Sequence, residues 1–488
     1  MKKALLPIVV LAVLLLAAPG AFGWWAQRDA DARLNQMLEG VTFLTVAEHR
    51  YHRGWFSSDE TITFELFKGL PLVAASDPAQ AAASKPLRIG LHNVIHHGPS
   101  PGLSGIGIAR IDSELAPPNA ADSATPKPSL GPLSIRTYLG FLGGATTEIR
   151  HPAIAATDVG EGWHLTADAI DFTIREGRNA NSIDVAGKAP HLLVTHDNGT
   201  RLELTGLQAS MQSTRALRSM YVGNSEVVLG EFDARMPARS DRPQPAVAEA
   251  DPNDPSAAGA GAGDFSLRGL KVTGHSEAVG GFLNGMGTVS AMYAGAGAYH
   301  VQGLKVDGGI EHFQLDAFER LTDGMRTIQR EHPGSPADQA AAIQKLWKAA
   351  GIPLVTNDPV IVVRTFQFAA AGGFATFSGS MRIRGATDAD FNPAINVGSL
   401  LSKVNVDFDV AIDEPLFERL AAPKPAAGAA SRKPAAPSPV QAMITQGYLT
   451  DDHGRLRTKI QFANGQLTLN GKVFEPGRPP GSGAPTHP

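Results

Sequence analysis

The sequence predicts a mainly β protein with some α: an elongated, curved antiparallel sheet with a helical hairpin insertion, behind one N-terminal transmembrane helix. Three observations carry this reading. Strand-period alternation runs through most of the chain; Gly and Pro number 52 and 35 among 488 residues, well above their usual combined share of about 12 %; and an apolar run without charge stands at the extreme N-terminus.

The N-terminal run comes first in the chain. Lys2 and Lys3 precede a stretch free of charge from Ala4 to Ala26, about 35 Å long as a helix and so sufficient for a hydrocarbon core of about 30 Å. Leu5, Leu11, Leu14, Leu15 and Leu16 fill it, and Trp24 and Trp25 close it where amphipathic rings favour the headgroup level, while the lysines hold the short N-terminus in the cytoplasm. Residues 1–27 therefore read as a membrane anchor. A cleaved signal peptide is the alternative, since Leu5 to Ala18 resembles an h-region and Ala21-Phe22-Gly23 offers small residues at a cut. Both readings carry the body out of the cytoplasm.

Behind the anchor, Asp29 to Leu38 has the one-sided pattern of a short polar helix. Residues 28–235 then form an N-terminal β-rich half, 236–263 an Ala/Pro/Gly-rich disordered linker, 264–474 a C-terminal β-rich half with a helical insertion, and 475–488 a disordered tail. In the first half Ile62, Phe64 and Leu66 alternate with Thr61, Thr63 and Glu65, the pattern of a strand with one face buried and one wet. The clearest case is Val404, Val406, Phe408 and Val410 against Lys403, Asn405, Asp407 and Asp409, which nominates those four as an apolar sheet face. Asn464-Gly465 and Asn198-Gly199 stand between alternating runs and read as type I′ hairpin turns. The form apolar-x-Gly-Leu-x-apolar recurs at Leu204–Ala209, Leu267–Val272 and Val301–Val306; a glycine at mid-strand permits a bulge and a strongly coiled sheet. Phe313 to Glu331 and Pro336 to Ala349 look like the helical hairpin, with Ser335 as N-cap and Pro336 at the first helical position.

Most chemical motifs fail on inspection. Lys plus Arg is 43 against 47 Asp plus Glu, a formal net charge of −4, which is not the footprint of a nucleic-acid binder. With Cys at 0 there is no disulfide, thiolate nucleophile or thiolate metal site. Gly98-Pro99-Ser100-Pro101-Gly102 matches a nucleophile elbow literally, but Pro101 lacks the N–H its oxyanion hole requires. His92 and His96 share a strand face about 13 Å apart, too far for one ion, and His97 points the other way. Glu48, His49 and His52 lack the spacing of a helical zinc pair. No phosphate-binding loop and no calcium loop is present. The sequence therefore nominates no catalytic, cofactor-binding or metal residue. Arg53-Gly54-Trp55-Phe56 stands apart: either the rings pack the start of the sheet around a glycine turn, or they form a membrane-proximal contact site.

A Lys-started N-terminal anchor, then Tyr51-His52-Arg53-Gly54-Trp55-Phe56-Ser57-Ser58, then His97-Gly98-Pro99 closing a strand and Gly465-Gln466-Leu467-Thr468-Leu469-Asn470-Gly471 near the end resemble the YdgA-like family of bacterial envelope proteins. The resemblance implies a single-pass protein of the bacterial inner membrane with its body in the periplasm, and no established activity. Long one-sided strands must hide their apolar face against helices, another sheet or a hydrophobic ligand. The expected function is thus a non-enzymatic envelope protein, a scaffold or a lipid-binding module with the membrane, lipid or an envelope protein as partner and no cofactor. An envelope hydrolase acting on glycan or peptide through unidentified carboxylates is the alternative.

Overall fold

The computed structural model describes residues 44–66, 87–98, 100–103, 106–116, 133–160, 162–235, 264–297, 299–331, 336–370, 372–391, 396–421 and 439–474. The expected anchor with Leu5, Leu11, Leu14, Leu15, Leu16, Trp24 and Trp25, the Asp29–Leu38 helix, Ser335, the 236–263 linker and the 475–488 tail lie outside these residues. Among the described residues no helix is long and apolar enough to cross a membrane. Internal contacts divide the chain into two compact units, residues 1–227 with 319–348, and 228–318 with 349–488.

The first unit is an antiparallel sheet of β1 (Leu44–Arg53), β2 (Ser57–Leu66), β3 (Leu87–His97), β4 (Ala109–Ala116), β5 (Ser134–Leu139), β6 (Ala145–His151), β7 (Ile154–Gly160), β8 (Trp163–Ala167), β9 (Ile170–Glu176), β10 (Ser182–His196) and β11 (Arg201–Arg215). Neighbours in sequence pair from β1 to β6; β6 then pairs with β9, and β9 with the first half of β10. β8 takes the second half of β10, from Leu192 to His196, so two short strands share one long partner. β12 (Tyr221–Arg235) begins in this unit and ends in the other.

Ile95, Ile108, Ala109, Leu139 and Ala145 form the buried core of the first unit, with Tyr51 and Ile111 against it. Of the four residues between β10 and β11, Asn198 and Gly199 are expected to make a type I′ turn but do otherwise. Only Gly199 takes a positive φ, of 93°, because the Asn198 side chain accepts the Thr200 N–H at 2.9 Å and holds Asn198 out of the left-handed region. At Asn464-Gly465 both residues are left-handed, φ 51° and 76°, as a type I′ turn requires.

The second unit is likewise antiparallel: β13 (Phe265–Val279), β14 (Phe282–Ala296), β15 (Tyr299–Gln314), β16 (Val360–Ala370), β17 (Gly373–Ile383) and β18 (Val404–Asp413), then β19 (Thr450–Asp452), β20 (Arg455–Ala463), β21 (Gln466–Leu469) and β22 (Lys472–Val473). Each strand from β13 to β18 pairs with the next, and β18 with β20. The recurring glycines, Gly206, Gly269 and Gly303, all take positive φ within their strands (70°, 61° and 58°). At Gly303 the β15–β16 register slips between Gln302 and Lys305, the expected bulge.

The helical insertion follows β15 as α1 (Leu315–Glu331) and α2 (Pro336–Leu346), with α3 (Ile352–Thr356) before β16. Phe313 belongs to the strand and not the helix, because it pairs with Leu283 in the ladder. The hairpin closes where Leu346 packs on Gly324, whose Cβ would lie 2.3 Å from Leu346 Cδ1. The Ser219 N–H donates to Glu319 Oε1 at 2.6 Å, and its hydroxyl donates to Asp323 at 2.9 Å, which ties α1 to the β11–β12 turn.

In the second unit Asp390 anchors α4 (Val397–Lys403). Its carboxylate accepts from Lys403 Nζ and Ser399 Oγ, each at 2.5 Å, and from the Thr387 N–H at 2.6 Å. The Lys403 ammonium, then the Ser399 hydroxyl and the Thr387 N–H, hold this carboxyl far below its ordinary value. A depressed folded-state pKa supplies stability above the unfolded pKa of about 4, and that stability is lost as pH falls from there toward the folded value. The thermal midpoint difference between wild type and Asp390→Asn should therefore be widest above about pH 4 and shrink below it. A difference that does not depend on pH would show that the ionised carboxylate does not hold α4.

Candidate functional site

The four sequence-nominated residues of β18 sit on one face of the C-terminal sheet, and the register extends that face across its neighbours. One row runs Val272, Val289, Val306, Phe366, Phe377 and Val410 over β13 to β18, each opposite the next. A second runs Ile310, Ile361, Met381, Val406 and Phe462 from β15 to β20. Between them lies a row of three glycines and three bulky residues: Gly287, Gly308, Val363, Gly379, Phe408 and Ile460. Glycine is obligatory at Gly379, where φ is +156° and a Cβ would meet the Asp407 carbonyl at 2.1 Å.

The glycines make a furrow of the middle row at Gly287 and Gly308, while the Phe408 ring lies over Gly379. Its flanking rows are four residues apart on β15, β17 and β18, about 13 Å, and five apart on β16, where a bulge intervenes. The four strands that carry both rows, β15 to β18, give it a length of about 14 Å, close to the roughly 15 Å of one leaflet's hydrocarbon. The opposite face is polar: Lys459 Nζ lies 3.2 Å from Asp407 Oδ1, and Gln461 donates to Asp407 Oδ2 at 3.1 Å.

One end of the face packs into a buried helical cluster. Ile412, next along β18 after Val410, packs with Phe417 of α5 (Glu414–Ala421), with Met443 and Ile444 of α6 (Pro439–Thr445), and with the buried Val440, Leu449 and Leu456. At the Val404 end α4 lies against β18 and β20. Val404, Val406, Phe408 and Val410 are each half-buried, and no residue of β13, β15, β16, β17 or β18 is fully buried. Val289 is 37 % exposed and Ile361 38 %. Phe408 is held by stacking on Phe377, ring centroids 4.4 Å apart.

Arg53, Gly54, Trp55 and Phe56 form the β1–β2 turn, where the Gly54 N–H donates to the Ser57 carbonyl at 2.9 Å. Both rings point into solvent instead of packing the sheet. The turn is at the far end of β1 from Leu44, about 33 Å along the strand.

A buried polar cluster in the first unit carried no motif. Ser58 Oγ lies 2.8 Å from His97 Nε2, and Glu60 bonds His49 at 2.8 Å and the Asn93 amide at 2.6 Å. Ser58, Glu60, Asn93 and His97 are all buried, so the Ser58–His97 pair gives no substrate access to its hydroxyl. Glu65, the other buried acid of β2, pairs with Arg88 at 2.7 Å and lies an odd number of residues from Glu60, hence on the opposite face. The available signal was polar side chains at Ser58 and Glu60 on the same alternation as Ile62 and Phe64.

The remaining histidines are dispersed. His92 faces Asp59 at 3.7 Å and His96 faces Asp112 at 3.4 Å. Burial opposes ionisation of Asp112, but hydrogen bonds from Arg136 and Arg110 prevail and hold its carboxyl below the ordinary value. Among the described residues no group of three or more His, Asp or Glu side chains could hold a metal ion. Ser100 is exposed at a turn that continues into Pro101.

No curated protein and no solved structure matches the chain. One family model, described as a bacterial protein of unknown function, matches residues 1–476. With that match running through both units, the chain belongs to the DUF945 family of bacterial proteins.

Proposed function

We propose that this is a membrane-anchored, non-enzymatic protein of the bacterial envelope, its body in the periplasm, which binds lipid hydrocarbon on the apolar face of its C-terminal sheet. The YdgA-like resemblance and the N-terminal run support the location. The observation that supports the ligand is the furrow between two apolar rows, packed by α5 and α6 at the Ile412 end and only half-buried along β18 from Val404 to Val410. Water against so long an apolar face is unfavourable at about 25 cal/mol per Å². An acyl chain is the simplest molecule that fits an apolar furrow of this kind, since it needs no hydrogen-bond partner there. The curvature expected from the sequence would deepen the furrow.

The test is lipid extraction and mass spectrometry on residues Asp29–Pro488, exported without the N-terminal segment and purified without detergent. Stoichiometric phospholipid or fatty acid is the expected result. Protein that carries no lipid, and takes none up after delipidation, would leave the C-terminal face as scaffold only.

A further inference from the structure

One end of the N-terminal sheet gathers apolar side chains that its own core does not use. Four connections lie side by side there, joined by backbone hydrogen bonds. The His97 N–H donates to the Phe56 carbonyl at 2.9 Å, the Gly98 N–H to Ile108 at 3.1 Å, the Ile108 N–H to Leu139 at 2.8 Å, and the Asn179 N–H to Gly143 at 3.3 Å. From them project Trp55, Phe56, Ile106, Phe141 and Leu142, of which Ile106 is 87 %, Leu142 78 % and Trp55 59 % exposed. The β1–β2 and β5–β6 turns are four strand spacings apart, about 19 Å, so the row is too long to be a chance single residue. Behind it lies a cavity of about 560 Å³ lined in part by Ile106, Leu139, Phe141, Leu142 and Ala145.

We propose that this end of the sheet docks on the surface of an anionic lipid bilayer, with Trp55, Phe56, Ile106 and Leu142 entering the interface. Charge decides for a bilayer over a protein surface. The connections Gly54–Phe56, Gly98–Ile108, Gly140–Gly144 and Gly177–Asn181 contain no carboxylate, while Arg178 stands in the last and Arg53 flanks the first; the carboxylate at a strand end beside them is Glu176. Tryptophan and arginine next to bulky aliphatic tips suit the headgroup boundary, where the rings sit between polar and apolar layers and each cation near an anionic surface contributes about 1 kcal/mol. A protein partner of ordinary composition would instead favour fewer isolated aliphatic tips and more paired polar groups at the rim. The inference does not depend on the C-terminal furrow, which is in the other unit.

The chain has no cysteine, so single cysteines can be labelled uniquely in the full-length protein. Leu142→Cys and Ile106→Cys place an environment-sensitive fluorophore at the tips. Asn198→Cys places it at the opposite end of the same sheet, since β10 begins beside the Gly177–Asn181 turn and ends at His196, just before the turn that holds Asn198. With vesicles of phosphatidylethanolamine and phosphatidylglycerol carrying brominated acyl chains, the labels at 106 and 142 should be quenched several-fold more than the label at 198. Arg53→Glu should weaken that quenching. Equal quenching at both ends overturns the proposal, as does protection of the 142 label from aqueous iodide without bromine quenching, which would assign the tips to a protein surface or a second copy. Quenching that Arg53→Glu leaves unchanged would overturn the choice of an anionic surface.

Discussion

Truncation of Leu456 to alanine should destabilise the C-terminal unit by about 2–5 kcal/mol, the range for a fully buried leucine, whereas Val406→Ala should cost about 1 kcal/mol or less. Both residues lie on the same apolar face, one on β20 opposite Ile412 and the other on β18. Leu456 is 0 % exposed within the cluster of Val440 and Leu449, so its loss leaves a cavity that α5 and α6 cannot collapse into without losing their own contacts. Val406 is half-buried, so water can occupy the vacated space. Because a chain of two units need not unfold in one step, the comparison is best read from hydrogen exchange of β20 and β18 amides, not from a single melting curve. Equal costs at the two positions would show that the face is closed along its whole length, and the furrow would lose its physical basis.

Glutamate placed in the furrow should expel its ligand without unfolding the sheet. Val289 and Ile361 are the exposed members of the two flanking rows, so Val289→Glu and Ile361→Glu leave the carboxylate hydrated in the free protein and add little strain. Against a bound hydrocarbon chain the same carboxylate would be desolvated without a partner, at a cost of several kcal/mol. Each 1.4 kcal/mol is a tenfold change in affinity, so bound lipid should fall at least tenfold while the thermal midpoint stays close to wild type. Thr288→Glu, one residue along and on the polar face, is the control and should retain lipid. Loss of lipid from all three variants would indicate a general disturbance of the C-terminal sheet. Retention in all three would place the ligand elsewhere.

Alternation of side chains carried most of the architecture into the sequence. The strand at Val404–Asp413, its pairing face, the Asn464-Gly465 turn and the bulge glycines follow from local rules, because a period of two and a positive φ are properties of a few consecutive residues. The helical hairpin was legible for the same reason, apart from Phe313, which a long-range ladder drew into β15. Asn198-Gly199 shows the limit of dipeptide rules: a side-chain hydrogen bond to Thr200 selected a different turn. The cluster around Ser58, His97 and Glu60 escaped notice because its members are 39 and 11 residues from their partners, and no spacing rule connects them before the strands are in register.

By itself the sequence determined a mainly β chain, the two-faced character of its strands, and the residues of the β18 face. It could not determine whether that face is covered, since cover depends on which helices reach it. Only the tertiary structure decided this, packing the Ile412 end against α5 and α6 and leaving Val404, Val406, Phe408 and Val410 half-buried. It also decided that Trp55 and Phe56 project outward in line with Ile106 and Leu142. The physical reason is the same in both cases: periodicity fixes which way a side chain points from its own backbone, but burial is set by what other segments bring against it.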